Sequence, residues 1–485
     1  MALRSTRYLL TCLFFVTLSS DVFGMKDISG LLFRSLSFSA DENNQHFEDA
    51  ISNLDKGNFK EANSYSSLLT ANVEADTRID VLTLARVLTN AAIIHTRVDQ
   101  LESALVLLDQ AIQLVDSESP FHEDIYPLMM VKAQILKEQN KLVVATDLLR
   151  RAQHITHRND GVYSEQQIAV VDLISEISTS QRDYAEADRQ ELFNLSIGEH
   201  TFGANSIKLV PRLEKVGRHF RLRGAAMHFE PNAIFAPAPV LNRKDRAAIF
   251  NESLRHYNRS LTIQENNYGP NDLRLVNTLR SIAHTRMAQI SGRRYAEDAL
   301  ARVVSITAAN PIADIPEHAV ALIELADAYT INGNRKAAET YLDAWDLLSQ
   351  SEELNELRKD IFSSPTRIFP PTQPYSLLSR RPSAVEPGEE IYVIAMYSIR
   401  PNGRTSDIEV FESNAPVEQK KQLRLWIRDS RYRPRIEDGV LVQTEGLTIK
   451  QTFQVIAEKV TNDVSEGQSA LEEQSTLKGQ SPLPE

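Results

Sequence analysis

The chain has 485 residues, of which 42% are hydrophobic and 24% charged, and its formal net charge is −12. Such a composition belongs to an ordinary globular protein with room for about three domains. The acidity argues against a nucleic-acid partner, because phosphate binding draws on clustered Lys and Arg that release counterions.

Arg4 and Arg7 precede an apolar run from Tyr8 to Leu18, followed by Ser19, Ser20, Asp21 and the small residue Gly24. This is the pattern of a secretory signal. The run has 11 residues, against roughly 20 for a helix that crosses a bilayer, so residues 1–24 are predicted to be removed by cleavage after Gly24. The only cysteine, Cys12, lies inside the run. A mature chain without it has no thiol, which excludes disulfides, thiolate metal sites and cysteine nucleophiles.

A small residue then recurs at Ala62, Ala104, Ala145 and Ala187, at intervals of 42, 41 and 42 residues. The later ones each follow a helical pattern with side chains at i, i+3, i+4 and i+7: Leu88, Ala91, Ala92 and His95; Met129, Lys132, Ala133 and Leu136; Val171, Ile174, Ser175 and Ser178. That spacing lines one face of a helix. One pair is interrupted. Its first helix runs near Leu213, Val216, Gly217 and Phe220, and its second, from Ala247 to Ile263, packs through Ser253, Tyr257 and Ser260. Between them lies a Pro-rich insertion at 228–245, where Pro231, Pro237 and Pro239 cannot continue a helix. A further first helix carries Leu279, Ile282, Ala283 and Arg286. The clearest pair spans Ala319 to Leu348. Leu322, Leu325, Ala326 and Tyr329 line its first helix, Asn332, Gly333 and Asn334 break it, and the second helix is predicted to pack through Ala338, Leu342 and Trp345.

Small residues at the crossing of a helix pair, here Ala326 and Ala338, resemble the tetratricopeptide repeat. The words Phe202-Gly203-Ala204-Asn205-Ser206 and Tyr268-Gly269-Pro270-Asn271-Asp272, in a repeat about eight residues longer than the usual ~34, resemble its kinesin light chain form. The fold class expected is mainly α: an α-solenoid of about seven helical hairpins over residues 43–352, plus a small C-terminal α+β domain. Stacked hairpins leave a groove lined by first helices, a surface for a protein or peptide partner.

Pro365, Pro370, Pro371, Pro374, Pro382 and Pro387 mark residues 363–388 as an extended linker. Beyond it, Ile391 to Ile399 reads as a strand that ends at Pro401-Asn402-Gly403, a tight-turn signal, with Ser406 to Phe411 as its partner. Leu423, Trp426 and Ile427 form one face of a helix after Pro416. Asp438-Gly439 marks another turn, and Leu447, Ile449, Phe453 and Val455 one face of a last strand. The order strand, strand, helix, strand over residues 389–459, with Asn402, Gly403, Arg431, Tyr432, Pro434, Asp438 and Gly439 as its motif, resembles the C-terminal domain of TonB proteins. That resemblance implies an outer-membrane or envelope protein as partner. Residues 460–485 are rich in Ser, Gln and Glu, lack aromatics and are predicted to be disordered.

Motifs for chemistry are not evident. His154 and His157 stand three apart with no third ligand spaced for a metal, and no Gly-x-Ser-x-Gly turn, phosphate loop or dinucleotide fingerprint occurs. The Asn-x-Ser triplets at Asn194, Asn251 and Asn258 matter only in a eukaryotic secretory pathway. The chain is therefore expected to be no enzyme, with no cofactor, no metal and no catalytic residue. Arg218, Arg221, Arg280 and His284 fall off the apolar stripes of two first helices, which makes them the candidates for binding an acidic peptide by charge-assisted hydrogen bonds. The leading expectation is a periplasmic protein-interaction scaffold. The alternative is a component of TonB-dependent transport, anchored in the inner membrane and facing the periplasm.

Overall fold

The computed structural model describes residues 28–226, 243–289, 292–310, 313–370, 376–378 and 380–455. The predicted signal at 1–24, most of the insertion at 228–245 and the tail at 460–485 lie outside them. The chain divides into two compact units, one ending at Phe220 and the other beginning at Arg221.

In the first unit, helices pair in sequence order: α1 (Asp41–Asp55) with α2 (Phe59–Ala75), α3 (Val81–Arg97) with α4 (Leu101–Glu118), α5 (Ile125–Glu138) with α6 (Leu142–Asp160), and α7 (Ile168–Ser180) with α8 (Tyr184–Phe202). Helix α9 (Val210–Ala226) opens the next pair. Each connection turns on one left-handed residue, Gly57, Asp99, Asn140 or Arg182, with φ of 80°, 60°, 57° and 62°. Five positions later stands the small residue, and Ala62, Ala104, Ala145 and Ala187 all have 0% exposure. The predicted crossing points are where these backbones meet, and a bulkier side chain has nowhere to go. Leu88, Ala92, Met129, Ala133, Val171 and Ile174 from the first helices are equally buried, each large one contributing about 1.5–3 kcal/mol. His95 and Lys132 are only half-buried. A chain segment ahead of α1 joins this core through Ile28 and Leu32.

The second unit holds the end of α9, then α10 (Arg243–Tyr268), α11 (Val276–Ala288) with α12 (Arg293–Ala309), and α13 (Ile315–Asn332) with α14 (Ala337–Leu348). Ser253, Tyr257 and Ser260 face inward from α10 as predicted, at 0%, 2% and 0% exposure. Six helix pairs thus stand among the described residues, and the end of α9 meets α10 where Arg246 Nε donates to the Gly224 carbonyl at 3.1 Å. Helix α13 starts on Asp314, whose side chain accepts the Glu317 N–H, with Pro316 in the first turn. Helix α14 departs from expectation: Ala338 is exposed, Leu342 and Trp345 are half-buried, and the inward face is Thr340, Tyr341, Ala344 and Leu348. The reason is local. An extra turn, in which Asn334 Oδ1 accepts the Lys336 N–H at 3.1 Å, delays the helix start to Ala337 and rotates the packing face.

After α15 (Asn355–Phe362) come β1 (Thr366–Phe369), β2 (Leu377–Leu378), β3 (Ile391–Ile399), β4 (Thr405–Ser413), α16 (Val417–Asp429), β5 (Arg431–Arg433), β6 (Arg435–Glu437), β7 (Val440–Val442) and β8 (Thr444–Val455). The main sheet has the order β2-β8-β3-β4, with β2 parallel to β8 and the other pairs antiparallel. Helix α16 covers it with Leu423 and Ile427. The predicted turns are present: Asp438 and Gly439, both at positive φ, join the β6–β7 hairpin. The segment read as a linker is partly built into the domain, because β1 pairs antiparallel with β5 and β2 adds to the sheet edge. Proline bars a central strand but tolerates short edge pieces such as these.

Candidate interaction surface on the first helices

Helix α3 places Arg86, Asn90 and Arg97 at i, i+4 and i+11, which at 3.6 residues per turn is a single face. That face holds the chain segment ahead of α1. Asn90 Oδ1 accepts the Phe33 N–H at 2.9 Å, and Asn90 Nδ2 donates to the Phe33 carbonyl, also at 2.9 Å. Arg97 donates to Ser29 Oγ at 3.0 Å, and the Arg86 guanidinium lies 5.5 Å from the centre of the Phe33 ring. The same grip recurs at Asn44, which accepts the Phe38 N–H at 2.8 Å and donates to the Phe38 carbonyl at 2.7 Å. An amide that engages both backbone groups of a residue holds it whatever its side chain.

Elsewhere the first helices of this unit carry ion pairs: Arg86 with Asp124 at 2.7 Å, Lys137 with Glu176 at 3.2 Å, and Lys215 with Asp172 and Glu191. Arg218 on α9 is exposed. The other predicted groove residues, Arg221, Arg280 and His284, belong to the second unit, and the last two are not free cations. Arg280 donates to Glu324 Oε2 at 2.7 Å and lies 3.8 Å from Glu317. His284 is pushed down to about 3, first by burial and then by the charges of Arg221 and Arg280. A neutral imidazole cannot supply the positive charge that an acidic peptide needs, so the structure brings Arg221, Arg280 and His284 together without making them one cationic site. Glu324 is driven the other way, its carboxyl raised by burial although Arg280 opposes this.

The motif residues of the C-terminal domain turn inward onto α13 and α14. Arg433, inside the Arg431–Pro434 word, reaches Asp327 on α13 through Nε at 3.1 Å and Nη2 at 2.7 Å, with both side chains less than a tenth exposed. The Tyr341 hydroxyl donates to the same carboxylate at 2.6 Å, and burial beside Asp327 keeps it protonated. Tyr432 is buried with its hydroxyl 2.9 Å from that of Tyr397, Pro434 is buried, and Arg431 bonds the carbonyls of Arg428 and Ser430. Asn402 accepts the Arg404 N–H at 3.1 Å. Gly403, at φ 74°, lies so close that a Cβ would fall 2.1 Å from the Tyr432 carbonyl oxygen and 2.8 Å from Thr330 of α13, which no other residue tolerates. Ile436 and Leu441 of the β6–β7 hairpin join the core formed by Ala319, Ile323, Tyr341 and Ala344. Asn90, Glu324, Asp327 and Tyr341 were missed in the sequence. The available signal was a pair of carboxylates, Glu324 and Asp327, three apart in an otherwise apolar helix.

Among the described residues no cluster of His, Cys, Asp or Glu is arranged to hold a metal ion, and no helix is long and apolar enough to cross a membrane. The fold is mostly helical, a stack of helical-hairpin repeats with a small C-terminal sheet region. The chain matches no family model and no curated protein. Among solved structures it is similar to a kinesin light chain protein of nearly identical TPR-like repeats from Podosopora anserina, at 16% identity over 48% of this chain and 95% of that one, with a TM-score of 0.34. It is also similar to BtubC (BKLC) from P. vanneervenii, at 17% identity over 46% of this chain and 80% of that one, TM-score 0.36. A tetratricopeptide repeat protein from Parabacteroides merdae gives 14% identity over 66% of this chain and 98% of that one, TM-score 0.34.

Proposed function

We propose that this chain is a non-catalytic protein-interaction scaffold whose first-helix faces take extended polypeptide from a partner. The observation that carries the proposal is the Asn90 grip on Phe33, in which a repeat side chain engages a stretch of non-helical backbone through both its polar groups. Arg218, exposed on a first helix, adds positive charge suited to an acidic partner. The C-terminal domain, with its likeness to TonB domains, is fixed in this reading to the last hairpin by the Arg433–Asp327 pair, an arrangement suited to a rigid scaffold. Arg4, Arg7 and the short apolar run at Tyr8 to Leu18 support export to the periplasm and an envelope protein as partner. N-terminal sequencing of the protein from its native envelope tests this part: a start near Met25 is expected, and an intact Met1 in a carbonate-resistant pellet sinks it.

Photo-crosslinking of the full chain in that envelope tests the scaffold itself. A crosslinking residue at Arg218 or Glu176, both on first helices, is expected to trap a partner. One at Val143, 68% exposed on the second helix α6, is expected to trap none. Adducts at Val143 alone, or at no position, overturn the proposal.

A further inference from the structure

The segment ahead of α1 is held the way a bound peptide is held. Ile28 and Leu32 are buried in the core of the first unit, with Leu31 and Phe33 packed partly against it; Phe38 is buried in a separate cluster with Phe47, Leu69, Val73 and Val87, and Gly30, Arg34, Ser35 and Ser37 face solvent. Ser29–Leu31 form a single turn of 3-10 helix, Leu32 is extended and residues 33–38 form neither helix nor strand. Among the described residues, no backbone-to-backbone hydrogen bond joins residues 33–38 to another element; Asn90 and Asn44 satisfy Phe33 and Phe38 by side chain alone. Each helix of a repeat keeps its backbone hydrogen bonds within itself, whereas residues 33–38 are held by two asparagine side chains and a few apolar contacts, so this segment opens at lower cost than a helix does.

We propose that Ile28–Phe38 is an exchangeable internal ligand of the α3 face, and that the site beneath it takes a partner peptide that makes one tight helical turn and then extends, with bulky apolar side chains at the spacing of Ile28, Leu32 and Phe33. The proposal rests on the scaffold reading for the existence of an outside partner. Competition between the two peptides then sets how much of the site is open, since an occupied site lowers apparent affinity by the fraction closed. Specificity divides in two. Asn90 recognises the backbone of the residue at the Phe33 position, while the sites filled by Ile28 and Leu32 select apolar side chains. Arg97, which donates to the Ser29 hydroxyl, favours an acceptor at the matching position.

The test uses the full chain and no outside partner, so its failure is distinct from failure of the crosslinking experiment. A labelled synthetic peptide of Ile28–Phe38 is titrated by fluorescence anisotropy against the native chain and a Leu32→Asp, Phe33→Pro variant, which removes the N–H that Asn90 accepts and leaves α3 intact. The variant is expected to bind the peptide at least tenfold more tightly than the native chain, and adding Asn90→Ala is expected to reverse most of that gain. Absence of binding to a variant with native helical circular dichroism, or binding that ignores Asn90→Ala, overturns the proposal. Should the variant not fold, hydrogen exchange on the native chain decides the matter. The Phe33 amide is expected to exchange at least tenfold faster than those of Leu88 and Ala92, and equal protection makes the segment ordinary core.

Discussion

His284 shows how burial and charge set the character of a residue that its position in the sequence disguises. It stands near Arg221 and Arg280, and burial together with those two positive charges lowers it to about 3. In the unfolded chain an imidazole takes its proton near pH 6.5. As pH falls from about 6.5 towards 3, the unfolded chain therefore binds a proton that the folded one refuses. The stability that His284 contributes is complete above that window and is lost progressively through it. Glu324, raised by burial, contributes a slope of opposite sign, present in both the native chain and a variant. His284→Gln is thus expected to flatten the fall of the urea midpoint between pH 6.5 and 4, and an unchanged slope refutes a depressed imidazole. At Arg218 the effect is one of surface charge. Arg218→Glu is expected to weaken partner capture with a loss that shrinks as salt rises, because exposed charges are screened beyond roughly 10 Å at 0.1 M; a loss that salt does not touch assigns the effect to packing instead.

At the scale of the helix pair, two alanines that look alike in sequence are expected to respond in opposite ways. Ala104 has no exposed surface at the crossing of α3 and α4, so Ala104→Phe overpacks it and costs about 1–3 kcal/mol. Ala338 is exposed, so Ala338→Phe is expected to change stability by no more than about 0.5 kcal/mol. Thermal melting followed by circular dichroism compares the two, and equal losses contradict the rotated face of α14. The crossing alanines were legible because side-chain size at a fixed period is a local property that repeats. Ala338 misled because the period carries the alanine forward while the longer turn at Asn334 shifts the helix start. Strands β1 and β2, with four and two residues, are too short to show any alternation, and their prolines point to a linker. Asn90 reads as a solvated polar residue until Phe33, 57 positions away, is seen against it. Asp327 and Arg433 are 106 positions apart, beyond the reach of any periodic argument.

Across the second unit, that distant pair decides whether the C-terminal domain behaves as a separate body or as the last layer of the repeats. Arg433 engages both oxygens of Asp327, Tyr341 donates to the same carboxylate, and Arg293 of α12 lies 4.4 Å from the Phe369 ring of β1. Replacing one member of a buried pair leaves the other charged and unmatched, at a cost of about 3–5 kcal/mol. The chain offers a direct probe, since it has two tryptophans, one on each side. Trp345 on α14 packs against Phe362 with ring centres 5.7 Å apart, while Trp426 on α16 has the Arg367 guanidinium 4.6 Å from its ring centre. Single-tryptophan chains carrying Trp345→Phe or Trp426→Phe report each side separately in urea. In an otherwise native background the two transitions are expected to coincide, the sign of one cooperative unit. With Arg433→Met the Trp426 transition is expected to move to lower urea and part from that of Trp345. Adding Asp327→Leu removes the stranded carboxylate and is expected to draw the transitions back together, because a matched apolar pair often equals a buried ion pair. Transitions already separate in the native background would make the domain a loosely held appendage, and the buried pair would then have no part in fixing it to the repeats.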